Sequence, residues 1–222
     1  MHVGRALAKL NPKNVRFDVG TGGIPDLTPQ DIAAALGYVD DGIGRELLCQ
    51  VWWPDGAKLS EHHLIDVLTE AQRQEWQRRE DSMINAMLTV AMYGGSRGQQ
   101  AYANAHAERW PGMVRITHEI VLAVEEYGLV RNAVIDEMKG AGLCPICLGR
   151  AAVRMESGKI CICPKCLGSG HIAISERARA QGCHMTWEKY RNRWSRVYEW
   201  TAIICTDSLQ RATGQFIAKI GC

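Results

Sequence analysis

The spacing of apolar positions along the chain predicts a mainly helical protein. In residues 60–94, and again in residues 114–140, apolar side chains recur at three- and four-residue intervals, which is the period of an amphipathic helix. The first segment forms either one long bent helix or two helices. A third periodic segment starts at Trp187 and continues towards the C-terminal end.

Two shorter helices are predicted before residue 53. Thr28 is a preferred N-cap residue, Pro29 fits the first helical position and Gly37 is a typical terminator. A second short helix is predicted over residues 44–52. The stretch from residue 94 to residue 111 is assigned a loop up to Gly98, followed by a polar segment up to Pro111.

These elements predict four parts of the chain. Residues 1–27 form a flexible or extended arm and residues 28–143 a helical domain. Residues 144–171 form a zinc-binding hairpin, and residues 172–222 a helix-turn-helix-like segment with a C-terminal helix that packs on the helical domain. The expected fold is therefore a helical bundle with an inserted four-cysteine zinc ribbon.

Two cysteine pairs carry the strongest chemical signal. Cys144 and Cys147 form the first C-x2-C pair, and Cys163 and Cys166 form the second. Fifteen residues separate the two pairs. Residues 151–155 and 160–162 read as two short strands around a turn, so the pairs are expected to meet in one tetrahedral site for a structural Zn²⁺.

Other interpretations of these cysteines are weaker. Disulfides are disfavoured because the start Met1–Arg5 has no apolar run behind it, so we expect no signal peptide and a reducing cytoplasm. A redox role is disfavoured because thioredoxin-type thiols use one C-x2-C pair next to a βαβ unit, whereas this chain has two pairs. Cys161 could replace Cys163 as a ligand, but Cys163 alone completes the two-residue spacing.

The remaining composition excludes little. Of the nine cysteines, we expect Cys49, Cys183, Cys205 and Cys222 to be free thiols. The net charge of +2 is too small to indicate a partner, and no run approaches the roughly twenty apolar residues of a membrane span. Four thiolates would leave the zinc no open position for water or substrate, so no enzymatic activity is expected.

The segment after the hairpin predicts a helix-turn-helix. Residues 175–181 read as a short helix, residues 182–185 as a turn, and Thr186 as the cap of a helix that begins at Trp187. Wound at 3.6 residues per turn, that helix has an apolar stripe that would pack inward and a second, polar stripe. The polar stripe, called here the basic stripe, consists of Lys189, Asn192, Arg193 and Arg196.

The basic stripe has two interpretations. It contains what a recognition helix uses in a major groove, namely arginine for guanine, asparagine for adenine and lysine for phosphate. It is equally compatible with a solvated basic face on a surface helix. Its place directly after a helix and a turn favours DNA binding.

Taken together, these motifs resemble the Q antitermination proteins of lambda-type bacteriophages. The likeness is carried by the segment 27–37, the hairpin ending Cys166-Leu167-Gly168-Ser169-Gly170, the helix start at Thr186, and Cys205 inside the following helix. The chain departs from the pattern after its first cysteine pair, where Cys147-Leu148-Gly149-Arg150 is not followed by the second glycine of the motif.

This resemblance implies a regulator of phage late genes. Such a protein binds double-stranded DNA at a late promoter, loads onto bacterial RNA polymerase paused with its sigma factor, and lets the polymerase read through terminators. The four cysteines of the two pairs would hold zinc. A rival likeness is to the C-x2-C-x-G-x-G repeat of the Hsp40 zinc domain, which implies a chaperone or protein-binding module; that domain has four repeats, and here one is complete.

Overall fold

The structure is a computed structural model that describes residues 3–7, 10, 28–53, 61–112, 115–116, 119–120, 125–147, 152–155, 159–168, 170 and 172–220.

Across these residues the fold is mainly helical, as the apolar spacing predicts. The chain divides into two compact units. Unit 1 contains Met1–Ile65, Val134–Ser175 and Ala202–Cys222, and unit 2 contains Asp66–Ala133 and Glu176–Thr201.

The helices follow the chain in this order: α1 (Val3–Leu7), α2 (Pro29–Gly37), α3 (Ile43–Trp52), α4 (Glu61–Tyr93), α5 (Gly95–Glu108), α6 (Glu125–Asp136) with a π turn at Glu137–Ala141, α7 (Glu176–Gly182), α8 (Trp187–Lys189), a second π turn at Tyr190–Trp194, and α9 (Ser195–Ile220). Backbone angles stay helical from α8 through the second π turn into α9. These three pieces therefore form one continuous helix over residues 187–220.

In the part of the chain that the structure describes, four short strands form two antiparallel hairpins. Strands β1 (Arg115–Ile116) and β2 (Glu119–Ile120) pair with each other. Strands β3 (Ala152–Arg154) and β4 (Ile160–Ile162) pair so that Val153 lies opposite Cys161. The second hairpin confirms the predicted strands between the cysteine pairs; its turn, residues 156–158, lies outside the described residues.

Side-chain capping by Thr28 explains where helix α2 begins. Thr28 Oγ1 accepts a hydrogen bond from the Asp31 backbone N–H, and the Asp31 carboxylate accepts one from the Thr28 N–H. This is a reciprocal capping box, and hydrogen bonds from the Thr28 hydroxyl and backbone N–H lower the pKa of Asp31. The predictions for α2 and α3 are confirmed, and residues 61–93 form one helix rather than two.

In unit 1, the last helix lies against the short helices near the start of the chain. A Cβ at Gly44 of α3 would overlap the carbonyl oxygen of Ser208 in α9, so only glycine permits this approach of the two backbones. The Asp40 N–H donates to Gln215 Oε1 at 3.1 Å. The ammonium of Lys219 lies 4.7 Å from the ring centroid of Tyr38.

Unit 2 is built around buried aromatic rings and one buried amide. Tyr127, Tyr190 and Tyr198 are essentially inaccessible to solvent. Gln72, also fully buried, donates to Thr201 Oγ1 at 3.0 Å and accepts from Arg131 Nη1 at 2.9 Å. Both amide ends are therefore satisfied, as burial of a polar group requires.

Three predictions about secondary structure are corrected. Residues 3–7 of the supposed arm form α1, whose Val3, Ala6 and Leu7 are buried; residues 11–27 lie outside the described residues. The polar segment after Gly94 is helix α5, which buries Gly98 against Val90 and exposes almost every other position. Residues 115–116 and 119–120, predicted as part of a helix, form β1 and β2.

Within the described residues, no helix has both the length and the apolar content needed to cross a membrane.

Candidate metal centre and nucleic-acid interface

The four predicted cysteine ligands meet in unit 1. Their sulfurs all lie within 4.8 Å of one another, with Cys144 and Cys163 3.8 Å apart and Cys147 and Cys166 3.6 Å apart. Four sulfurs bound at about 2.3 Å to one tetrahedral ion lie about 3.8 Å from each other. A disulfide would need about 2.05 Å. The arrangement fits one metal ion and excludes disulfides among these four residues.

Backbone hydrogen bonds hold the two ends of the hairpin together. The Cys144 N–H donates to the Gly170 carbonyl, and the Ile172 N–H donates to the Gly142 carbonyl, each at 2.9 Å. After the second pair the chain turns through Gly168 (φ 89°) and Gly170 (φ 77°), a region of backbone angles that glycine adopts without strain. The Gly170 N–H then donates to Cys166 Sγ at 3.3 Å.

The surroundings of Cys144 and Cys166 favour the ionised form of these two thiols. Burial opposes ionisation of Cys166, but hydrogen bonds from the backbone of Gly170 and Gly168 and from Cys147 and Cys163 outweigh it and lower its pKa to about 6. The pKa of Cys144 is also lowered: burial opposes this, and backbone hydrogen bonds within its own turn outweigh it. Thiolates are the form that binds a metal.

Cys161 lies outside this group. Its side chain is half buried on β4, and its Sγ donates to the Val153 carbonyl oxygen at 3.7 Å. The four cysteine sulfurs that lie within 4.8 Å of one another include that of Cys163. The structure thus brings Cys163, and not Cys161, to the other three cysteines.

In unit 2, the segment after the metal centre has the predicted helix, turn and capped helix. Helix α7 ends where His184 takes a left-handed conformation (φ 53°), with the Met185 N–H bonded to the Ala180 carbonyl and the His184 N–H to the Gln181 carbonyl. This pair of bonds is a Schellman motif. Thr186 Oγ1 then accepts from the Lys189 N–H at 3.3 Å and caps α8.

The apolar stripe of the helix faces inward and the basic stripe faces outward, as the sequence predicts. The apolar stripe is buried at Tyr190, Trp194, Val197 and Tyr198. All four residues of the basic stripe are exposed. Lys189 is engaged within the protein, since its Nζ lies 2.6 Å from Glu126 Oε1, and this contact lowers the pKa of Glu126.

The other three stripe residues line an open concavity of about 750 Å³, called here the basic concavity. One wall is the helix segment 191–196, which adds Arg191 and Ser195 to Asn192, Arg193 and Arg196. The opposite wall is the segment 106–112, which contributes His106 and Arg109. None of the described residues that line it is acidic.

Buried aromatic side chains fix both walls. Tyr127, whose pKa is raised by burial, donates its hydroxyl to the Pro111 carbonyl at 2.9 Å and places its ring edge-on to Trp194 at 4.8 Å. Trp110 packs edge-on to Trp200 at 5.3 Å and under the guanidinium of Arg79 at 4.8 Å. Such pairs add about 0.5–1.5 kcal/mol each beyond their burial, so the concavity is a fixed feature of unit 2.

Sequence reasoning missed His106, Arg109 and Arg191. Arg191 lies in the π turn, where i to i+5 hydrogen bonds change the faces that a 3.6-residue winding assigns. His106 and Arg109 are distant in sequence from the stripe, and no local pattern points to them. The run of cations from residue 189 to residue 196 was the available signal.

Comparison of the chain with known proteins finds no matching family model, no similar curated protein and no similar solved structure.

Proposed function

We propose that this chain is a zinc-stabilised DNA-binding protein that acts as a transcription antiterminator for the late genes of a bacteriophage. It would bind double-stranded DNA near a late promoter in the bacterial cytoplasm, associate with RNA polymerase and its sigma factor, and promote readthrough of terminators. The observation that carries the proposal is the exposed basic stripe on the capped second helix of a helix-turn-helix.

Three features of the stripe support DNA binding. It follows a turn closed by a Schellman motif and a threonine cap, so its start is well defined. Its Asn192, Arg193 and Arg196 are exposed on a helix whose opposite face is buried. Arginine and asparagine are the side chains that make bidentate contacts to guanine and adenine in the major groove.

The four-cysteine centre supports a structural Zn²⁺. The sulfur separations match one tetrahedral ion, and all four side chains are buried. Zinc in such a site adds folding free energy and performs no reaction. The proposal therefore includes no catalytic step.

A protein partner is supported by an apolar face in unit 2. At the end of α4, apolar residues at helical spacing are exposed: Ile84, Met87, Leu88, Met92 and Tyr93. Exposed apolar patches, and methionine-rich ones in particular, are typical of protein contact surfaces. This face suits polymerase binding, and it is also the observation that favours the alternative, a chaperone-type protein-binding module.

The decisive experiment is transcription with purified bacterial RNA polymerase on a late-promoter template that carries a downstream terminator. We expect the wild-type chain to raise terminator readthrough. Arg193→Ala should lower affinity for the specific site by about 1–3 kcal/mol and flatten discrimination between sites. Arg97→Ala, which removes an exposed arginine from α5 in the same unit, is the matched control.

Two results would count against this function. If the wild-type chain leaves terminator readthrough unchanged, the proposed antitermination function is wrong. Binding of unfolded protein without salt-sensitive DNA binding would favour the chaperone-type module instead.

A further inference from the structure

The basic concavity carries more positive charge than the stripe alone provides. Arg109 is paired, because it makes two hydrogen bonds with the Glu80 carboxylate at 2.6 and 3.0 Å. Among the described residues, no ion pair engages Arg191, Arg193 or Arg196. Three uncompensated guanidinium groups in one concave surface attract an anion.

The walls are held in place before any ligand arrives. Arg79 Nη1 donates to the Glu108 carbonyl at 2.7 Å, directly beside the wall residue Arg109. Two residues further, the Pro111 carbonyl is fixed by Tyr127. A preformed site loses little conformational entropy on binding, so its exposed cations can act with most of their electrostatic attraction.

The side chains also indicate which anion fits. Arginine forks match phosphate oxygens geometrically, and serine and asparagine are frequent donors to the DNA backbone; Ser195 and Asn192 lie in the same concavity. At about 750 Å³ the concavity exceeds what one phosphate ion would fill, and it is open to solvent. The size and openness of the concavity therefore fit several linked phosphate groups of a polymer better than a single phosphate ion.

We propose that the basic concavity binds the phosphodiester backbone of DNA, with Arg191 from one wall and His106 from the other contacting phosphate groups next to the bases read by Arg193. This inference rests on the proposed DNA-binding function and adds residues to it. Arg191 and His106 position the duplex and carry no base specificity, whereas Arg193 does.

The test measures binding of the full-length chain to a labelled late-promoter duplex and to a scrambled duplex over a range of salt concentrations. Arg191→Ala should weaken binding to both duplexes by the same factor and reduce the slope of log affinity against log salt by about 1. His106→Ala should act in the same direction. Arg97→Ala and His62→Ala, which remove exposed residues outside the concavity, should match the wild type.

A second probe without bases, inorganic tripolyphosphate measured by titration calorimetry, separates the two proposals. If the wild type binds duplexes but Arg191→Ala and His106→Ala behave as their controls do, the phosphate site is wrong and DNA binding stands. If no duplex binds while tripolyphosphate binds the wild type and not Arg191→Ala, the site stands and DNA binding is wrong. If neither probe binds, both are wrong.

Discussion

The metal centre and the basic concavity hold their working side chains by different physical means. Around the four cysteines, Val153 and Ile172 are the partly buried apolar residues packed against the sulfurs, while the neighbouring Ile160, Ile162 and Leu167 are more than two-thirds exposed. Around the concavity, buried rings are in contact with each other. The first region therefore has little apolar burial of its own, and the second has much.

This difference indicates which region depends on a ligand for its fold. A hairpin of two three-residue strands is marginal without further support, so we expect metal–sulfur bonds to supply the energy that orders it. The walls of the concavity are ordered by burial and edge-to-face ring contacts. Each region should then fail under a different perturbation.

The largest effect is expected from removing the metal. Cys163→Ser, or a strong chelator, should unfold the hairpin, because structural zinc contributes about 10–16 kcal/mol in finger peptides. The aromatic packing of unit 2 should persist. Hydrogen exchange over residues 144–172 and near-ultraviolet circular dichroism would measure the two regions separately.

Cys161→Ser is the matched control for this experiment. We expect it to retain one zinc per chain, because Cys161 lies outside the sulfur group. Equal metal loss from both variants would contradict the assigned ligand set. Collapse of the aromatic signal on chelation would contradict the contrast between the regions.

The next largest effect is expected from Trp194→Ala. Removing this buried ring, which packs edge-on to Tyr127, should cost about 3–5 kcal/mol in the free energy of unfolding. Zinc content should remain that of the wild type. Denaturant unfolding followed by near-ultraviolet circular dichroism, with metal analysis of the same sample, checks both expectations; loss of zinc together with the ring would be the contrary result.

A smaller effect is expected from Thr186→Ala. The substitution removes the side-chain oxygen that accepts from the Lys189 N–H, and loss of such a cap typically costs about 1 kcal/mol. Thr186→Ser keeps the hydroxyl and should lie close to the wild type in the same unfolding measurement. Equal stability of the alanine and serine variants would show that the cap contributes nothing here.

Local chemistry explains which parts of the fold and site were predictable. The cysteine pairs, the Thr28 capping box and the Thr186 cap each depend on residues within a few positions, so the sequence displays them directly. Helix α5 was missed because it is exposed nearly all round and has no apolar period. Strands β1 and β2 were missed because two-residue strands give too little alternation to distinguish from a helix.

The basic concavity could not be predicted because its walls are far apart in sequence. Arg191 and His106 are separated by more than eighty positions, and tertiary contacts such as those of Tyr127 and Trp110 bring their backbones into one site. The charge pattern along a single helix indicates only the wall that this helix contributes to the site. The other half depends on tertiary structure.

The π turn at Tyr190–Trp194 makes the consequence of a one-residue deletion depend on where in the helix the residue is removed. A π turn accommodates one residue more than the α-helical turns on either side of it, and each α-helical residue rotates the chain by about 100°. Deleting a single residue there would restore an uninterrupted α-helix with Trp187 and Val197 in nearly their present relative orientation, because the wide turn absorbs the extra residue. Deleting a residue from the regular α-helix after Ser195 would instead rotate the side chains on the two sides of the deletion by about 100° relative to each other.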